Sequence, residues 1–181
     1  MNILKTLSCT ESPWIEPKRV IYENDAGDIL KWDYVERTNA RTSVLIMARF
    51  KESGDLLFIR QYRVIFDNYV IAFPAGVLDD DTVEACALRE LREETGYTGK
   101  VVHISPGLPL NSALVREIGY CVVVELEEDA SPQPQELEPS EKIEVHRVRK
   151  DKLAAFFEQA SSRGDLIAAG LWYILMATQY L

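Results

Sequence analysis

Residues 75–97, AGVLDDDTVEACALRELREETGY, constrain this chain more than any other stretch of it. The spacing predicts a helix from about Thr82 to Thr95, ended by Gly96, because glycine enters the left-handed conformation of a helix C-cap without steric cost. On that helix Ala87, Leu88 and Leu91 form one stripe. Glu90, Glu93 and Glu94, at i, i+3, i+4 spacing, form the adjacent one. Carboxylates on a shared stripe repel by about 0.2–0.5 kcal/mol per exposed pair, and by more when buried. A hard divalent cation reverses that sign, and Mg²⁺ favours a few carboxylates together with phosphate oxygens. The same residues also suit a solvated face on which Arg89 and Arg92 are ion-pair partners, and for an isolated Glu-rich helix that is the commoner case. Here a Pro-Ala-Gly loop precedes the helix, a glycine ends it, and the acids border its apolar stripe, which favours the metal.

Around this segment the chain reads mostly as strands. Residues 19–22 and 29–35 are two strands joined by the turn signal Asn24-Asp25-Ala26-Gly27. Strands are also expected at 42–50, 56–62, 69–73, 100–104, 118–125 and 142–148. An exposed loop with three prolines and several acids is expected at 130–140. Residues 151–160 read as an amphipathic helix broken by Gly164, and Asp165 as the N-cap of a last, strongly apolar helix. Strands with a few helices and no regular βαβ alternation imply an α+β fold.

The net charge of −9 disfavours nucleic acid backbones and anionic membranes as partners. An acidic chain that takes an anionic substrate must bring local cations, and bound metal supplies them. Cys9, Cys86 and Cys121 have no metal-ligand spacing and do not form a disulfide framework. The first residues hold too short an apolar run for a signal peptide, and no apolar stretch reaches membrane-spanning length, so a cytoplasmic location is expected.

The run Arg89-Glu90-Leu91-Arg92-Glu93-Glu94-Thr95-Gly96-Tyr97 resembles the core of the Nudix box: Arg-Glu, aliphatic, any residue, Glu-Glu, any residue, Gly, apolar. The resemblance implies a Nudix α+β fold, a mixed sheet between helices, and a strand–loop–helix whose glutamates hold Mg²⁺, with Mn²⁺ as the alternative. Glu90 and Glu94 are then the most direct metal ligands, joined by the Ala75 carbonyl. Glu93 belongs to the same catalytic set, and Arg89 orients the carboxylates. One departure stands out: the family places a Gly fourteen residues and a Glu eight residues before the Arg. Here Gly76 is thirteen residues before Arg89 and Asp81 takes the Glu position, so the loop is one residue short.

Trp14-Ile15-Glu16, the Trp32–Arg37 run, Ile59-Arg60-Gln61-Tyr62-Arg63, Phe73-Pro74-Ala75-Gly76 and Ser105-Pro106-Gly107-Leu108 extend the similarity to the ADP-ribose and ADP-sugar pyrophosphatases. That branch implies hydrolysis of a nucleoside diphosphate sugar, ADP-ribose to AMP and ribose 5-phosphate, in a domain-swapped homodimer whose sites draw on both chains. Residues 1–40 are then a β unit for dimerisation and base binding, and 41–181 the catalytic domain. Trp14 and Trp32 are either core or interface anchors, where Trp is enriched, or two aromatic faces around a base; the resemblance favours the second. It also favours Arg63 as a phosphate clamp over a surface ion pair, and gives Arg37 a weaker substrate contact. A loop glutamate serves as the general base, by position Glu141, with Glu144 as fallback and Glu138 behind it. His103 and His146 are expected to be structural. The run after Gly107, Leu-Pro-Leu-Asn-Ser-Ala-Leu, departs from the small polar residues and Glu common in that branch. Another ADP-sugar, GDP-mannose, an oxidised nucleoside diphosphate, or a non-catalytic sensor of ADP-ribose are the alternatives.

Overall fold

The computed structural model describes residues 11–39, 42–79 and 82–180. Cys9, Asp81 and the expected boundary between residues 40 and 41 lie outside them. The described chain begins as a two-stranded antiparallel ribbon, β1 (Ile15–Glu23) and β2 (Ile29–Arg37). Asn24 shapes its turn by accepting from the backbone N–H groups of Ala26 (3.0 Å) and Asp28 (2.8 Å).

The body follows as β3 (Thr42–Phe50), β4 (Leu56–Arg63), β5 (Asn68–Ala72), β6 (Ala75–Val77), α1 (Val83–Thr95), β7 (Lys100–Ile104), β8 (Leu108–Pro109), β9 (Ile118–Leu126), β10 (Ile143–Val148), α2 (Leu153–Ser162), β11 (Leu166–Ile167) and α3 (Ala169–Tyr180). The strands join in the order β11-β5-β4-β3-β9-β7, with β10 beside β4, β6 beside β3 and β8 beside β9. The β3–β9 and β5–β11 pairs are parallel, so the sheet is mixed. This is the α+β arrangement expected, with a separate N-terminal ribbon.

The period-two alternation of β3 shows why helices cover both faces. Val44, Ile46, Ala48 and Phe50 pack with Cys86, Ala87 and Leu91 of α1, while Met47 points into the other cluster, around Phe58, Phe73 and Phe157. Full burial of such side chains is worth about 1.5–3 kcal/mol each, so the Ala87–Leu91 stripe holds α1 firmly on the sheet. No described helix is long and apolar enough to cross a membrane.

Two elements differ from expectation. The β6 and β8 segments read as loop in the sequence, yet β6 pairs with β3 (Ser43↔Val77, Leu45↔Ala75) and β8 with β9. Strands this short carry no periodicity of their own; a partner distant in sequence makes them strands. Asp165 is not the cap of the last helix. Its carboxylate takes Arg60 (2.8 and 2.9 Å) and Arg163 (3.0 Å), and β11 intervenes before α3 begins at Ala169.

Candidate functional site

Helix α1 is capped at both ends by its own sequence. The Thr82 hydroxyl accepts from the Ala85 N–H at 3.2 Å, and Gly96 at φ 75° closes the C-terminus by donating to the Arg92 carbonyl. Between the caps Ala87 and Leu91 of the apolar stripe are fully buried and Leu88 partly so, and burial reaches one carboxylate: Glu94 is 3% exposed. The Ala75 N–H in β6 donates to Glu94 Oε2 at 2.9 Å. One residue on, a Cβ at Gly76 would lie 2.0 Å from the carboxylate carbon of Glu90. A side chain at this position would displace the Glu90 carboxylate. Arg89 bridges Glu90 (2.8 Å) and Glu93 (3.0 Å). The structure therefore brings Ala75, Arg89, Glu90, Glu93 and Glu94 together.

The electrostatics of this cluster are lopsided. Burial pushes the Glu94 carboxyl up to about 8; the Ala75 N–H opposes the rise, Glu141 and Glu90 add to it, and Arg63 opposes it. Burial also raises Glu90, against Arg89 and with help from Glu93 and Glu141. Arg89 and Arg63 thus leave negative charge uncompensated in a partly dry site, and hard oxygen donors in excess are the set that suits Mg²⁺ or Mn²⁺. Among the described residues no three His, Cys, Asp or Glu side chains already converge as a cage. Arg89 and the Ala75 amide hold the carboxylates instead.

Glu141 acts electrostatically on both Glu90 and Glu94. Its carboxylate accepts from the Glu138 N–H at 3.0 Å. Glu144, the fallback, is instead paired with Arg60 at 3.1 Å. Arg63 ends β4, and its charge is felt at Glu94. His146 packs on Phe156, and its Nε2 is buried with no hydrogen-bond partner among the described residues.

The loop at 130–140 is exposed, as expected, but it is also tied to α1, which its composition did not show. Gln133 N donates to Gly96 O and Glu136 N to Glu93 O, both at 2.9 Å; the Gln135 side-chain amide donates to Glu94 O, and Glu136 pairs with Arg92. A Cβ at Gly96 would sit 1.9 Å from the Gln133 carbonyl oxygen, so this glycine serves the loop as well as the helix end.

Neither tryptophan is core in this chain: Trp14 is 69% and Trp32 51% exposed. The Trp32 Nε1–H donates to Ala113 O at 2.8 Å, and Val35 pairs with the same loop through Leu114 O (2.8 Å) and Arg116 N (3.0 Å). Buried Glu36 adds Arg116 (2.8 Å) and Lys18 (3.0 Å). Between β2 and the loop lies a cleft of about 470 Å³, lined by Val20, Trp32, Tyr34, Asn111 and Leu114 among others. Arg37 stands 3.6 Å from Glu117 at its border. Trp14 is not there. It meets Thr38 at the ribbon's far end, and six residues of strand from Trp32 to Thr38 span about 20 Å. One chain cannot close both indoles on one base.

A profile of the NUDIX domain matches residues 39–169. The chain is 31% identical over 179 residues to a Caenorhabditis elegans protein called putative nudix hydrolase 2, covering 92% of this chain and 80% of that one. It is 30% identical over 200 residues to the ADP-ribose pyrophosphatase of Saccharomyces cerevisiae, covering 99% and 83%. In fold it is similar to the crystal structure of an ADP compounds hydrolase, with a TM-score of 0.64, 21% identity, and coverage of 99% and 95%.

Proposed function

The chain belongs to the Nudix family, and from that membership we propose that it hydrolyses the pyrophosphate link of a nucleoside diphosphate sugar, with ADP-ribose as substrate and AMP and ribose 5-phosphate as products. The observation that carries this reading is the geometry of the α1 carboxylates: buried Glu94 is held by the Ala75 N–H of β6, with Glu90 and Glu93 fixed beside it by Arg89. Glu90, Glu94 and the Ala75 carbonyl would hold a divalent ion, which when bound would neutralise charge at the pyrophosphate and lower the pKa of the attacking water.

The remaining roles fall to this chain's own groups. Glu141 accepts the proton of the attacking water, because it is the loop glutamate whose charge is felt at both Glu90 and Glu94, while Glu144 is paired with Arg60. Arg89 fixes Glu90 and Glu93 through its two ion pairs. Arg63 has no ion pair among the described residues, which leaves its planar guanidinium free to bind phosphate. Trp32 offers one indole face to the adenine at the cleft, with Arg37 at its border, and the second face comes from Trp14 of another copy. The exposed apolar side chains of the ribbon, Ile21 and Ile29 among them, support residues 1–40 as the dimerising and base-binding unit of a domain-swapped homodimer, and 41–181 as the catalytic domain.

A hydrolysis screen with Mg²⁺ tests the reading. ADP-ribose, other ADP-sugars, GDP-mannose and an oxidised nucleoside diphosphate are compared by kcat/KM, with products identified by phosphorus NMR. ADP-ribose is expected to lead. A preference for GDP-mannose would overturn the adenine assignment, and binding of ADP-ribose without turnover of any compound would make the protein a sensor.

A further inference from the structure

The segment 133–141 lies between the end of α1 and the start of β10; Glu136 pairs with Arg92 of α1, and the Gln135 side chain reaches both elements. The last carbonyls of a helix have no partner inside it. Here Glu93 and Gly96 receive backbone N–H groups, from Glu136 and Gln133, which a residue of any type could supply. Glu94 is met differently. The Gln135 Nε2 donates to the Glu94 carbonyl and reaches the Ile143 carbonyl at 3.5 Å. A primary amide carries two N–H donors on one nitrogen, so it can hold two carbonyls at once. Ile143 opens β10, two residues beyond Glu141. The turn between them and Gln135 is closed on itself: Glu141 N donates to Glu138 O at 2.9 Å, and the Glu141 carboxylate accepts from Glu138 N at 3.0 Å. A self-closed turn moves as a unit, so its distance from α1 is set by its anchors.

We propose that Gln135 is a positioning residue that sets the place of Glu141 relative to the α1 carboxylates by tying the carbonyl of Glu94 to that of Ile143. The proposal rests on Glu141 as the base. Gln135 touches no reacting atom; it acts on turnover through Glu141.

The test is a double-mutant cycle in the full-length enzyme with ADP-ribose and saturating Mg²⁺. Gln135→Met keeps length and flexibility and removes both donors. It is expected to lower kcat about tenfold to hundredfold, the scale of a 1 Å misplacement, with KM within about twofold because substrate binding is untouched. In a Glu141→Gln background the same substitution is expected to change kcat no further. An equal factor in both backgrounds would overturn the proposal, since Gln135 would then act on the fold or on α1 alone. Wild-type kcat in Gln135→Met beside a crippled Glu141→Gln would also overturn it while leaving the base assignment standing. Wild-type kcat in Glu141→Gln would remove both. Should Gln135→Met not fold, Gln135→Asn, which keeps the donors one methylene short, enters the same cycle and is read by the same criterion.

Discussion

The two ends of the proposed site are built in opposite ways. Around α1 and β6 everything comes from one chain: the helix is capped at both ends, its stripe lies in the core, and Glu94 is buried under an amide of β6. The N-terminal ribbon has no such support. It meets the body through Trp32, Val35 and Glu36 on one loop, and it leaves Trp14, Ile21 and Ile29 more than half exposed. A two-stranded ribbon is marginal alone, and this one carries apolar surface that no other described residue covers. In the proposed function, phosphate chemistry draws on one chain and base recognition on two.

That contrast is sharpest at Glu94. Glu94→Gln keeps the shape of the side chain and removes a charge that burial disfavours, so the metal-free protein should keep its melting temperature. Turnover should fall by about two orders of magnitude or more, the scale of several kcal/mol of lost charge stabilisation. Mg²⁺ should raise the melting temperature of the wild type and not of the variant. A variant with wild-type turnover at saturating Mg²⁺ would break the assignment of the α1 end.

The ribbon end should respond in KM. Trp14→Ala and Trp32→Ala each remove one stacking face, worth about 1–3 kcal/mol, and should raise KM for ADP-ribose roughly tenfold to a hundredfold while kcat stays near wild type. Light scattering at micromolar concentration should return a dimer for the wild type and both variants. Mixing the two variants sharpens the test: a heterodimer holds one site with both tryptophans and one with neither. Recovery of low-KM activity on mixing is expected; its absence, with exchange shown to occur, would falsify the two-chain base site.

The smallest effect belongs to the tie between ribbon and body. Trp32→Phe keeps an aromatic face but loses the Nε1 hydrogen bond to Ala113. A hydrogen bond is worth about 1 kcal/mol net, so KM should rise by roughly fivefold. A change as large as that of Trp32→Ala would mean that the cleft is held open by this bond and that stacking contributes little.

Much of the fold was legible because the elements that matter are long and periodic. Strands β3 and β7 fall at the expected residues, and α1 ends at Gly96 as its composition requires. The grouping of Glu90, Glu93 and Glu94 follows from 3.6 residues per turn once α1 exists. Less legible were the short strand β6, which owes its form to β3, and the glutamine that reaches from a Pro-rich loop to two carbonyls. Neither has a local signature, because each depends on a partner far away in the chain.

The sequence by itself determined the family, the helix and the carboxylates, since spacing along one helix is a property of adjacent residues. Tertiary structure alone decided which groups face those carboxylates from outside the helix. It set Gly76 beneath Glu90 and the Ala75 amide on Glu94. It paired Glu144 with Arg60 and closed Glu141 onto the Glu138 N–H. It also held Trp14 about 20 Å along the ribbon from Trp32. The physical reason is one of range: periodicity places side chains within a few turns of each other, but desolvation and charge in a site depend on every element that folds against it.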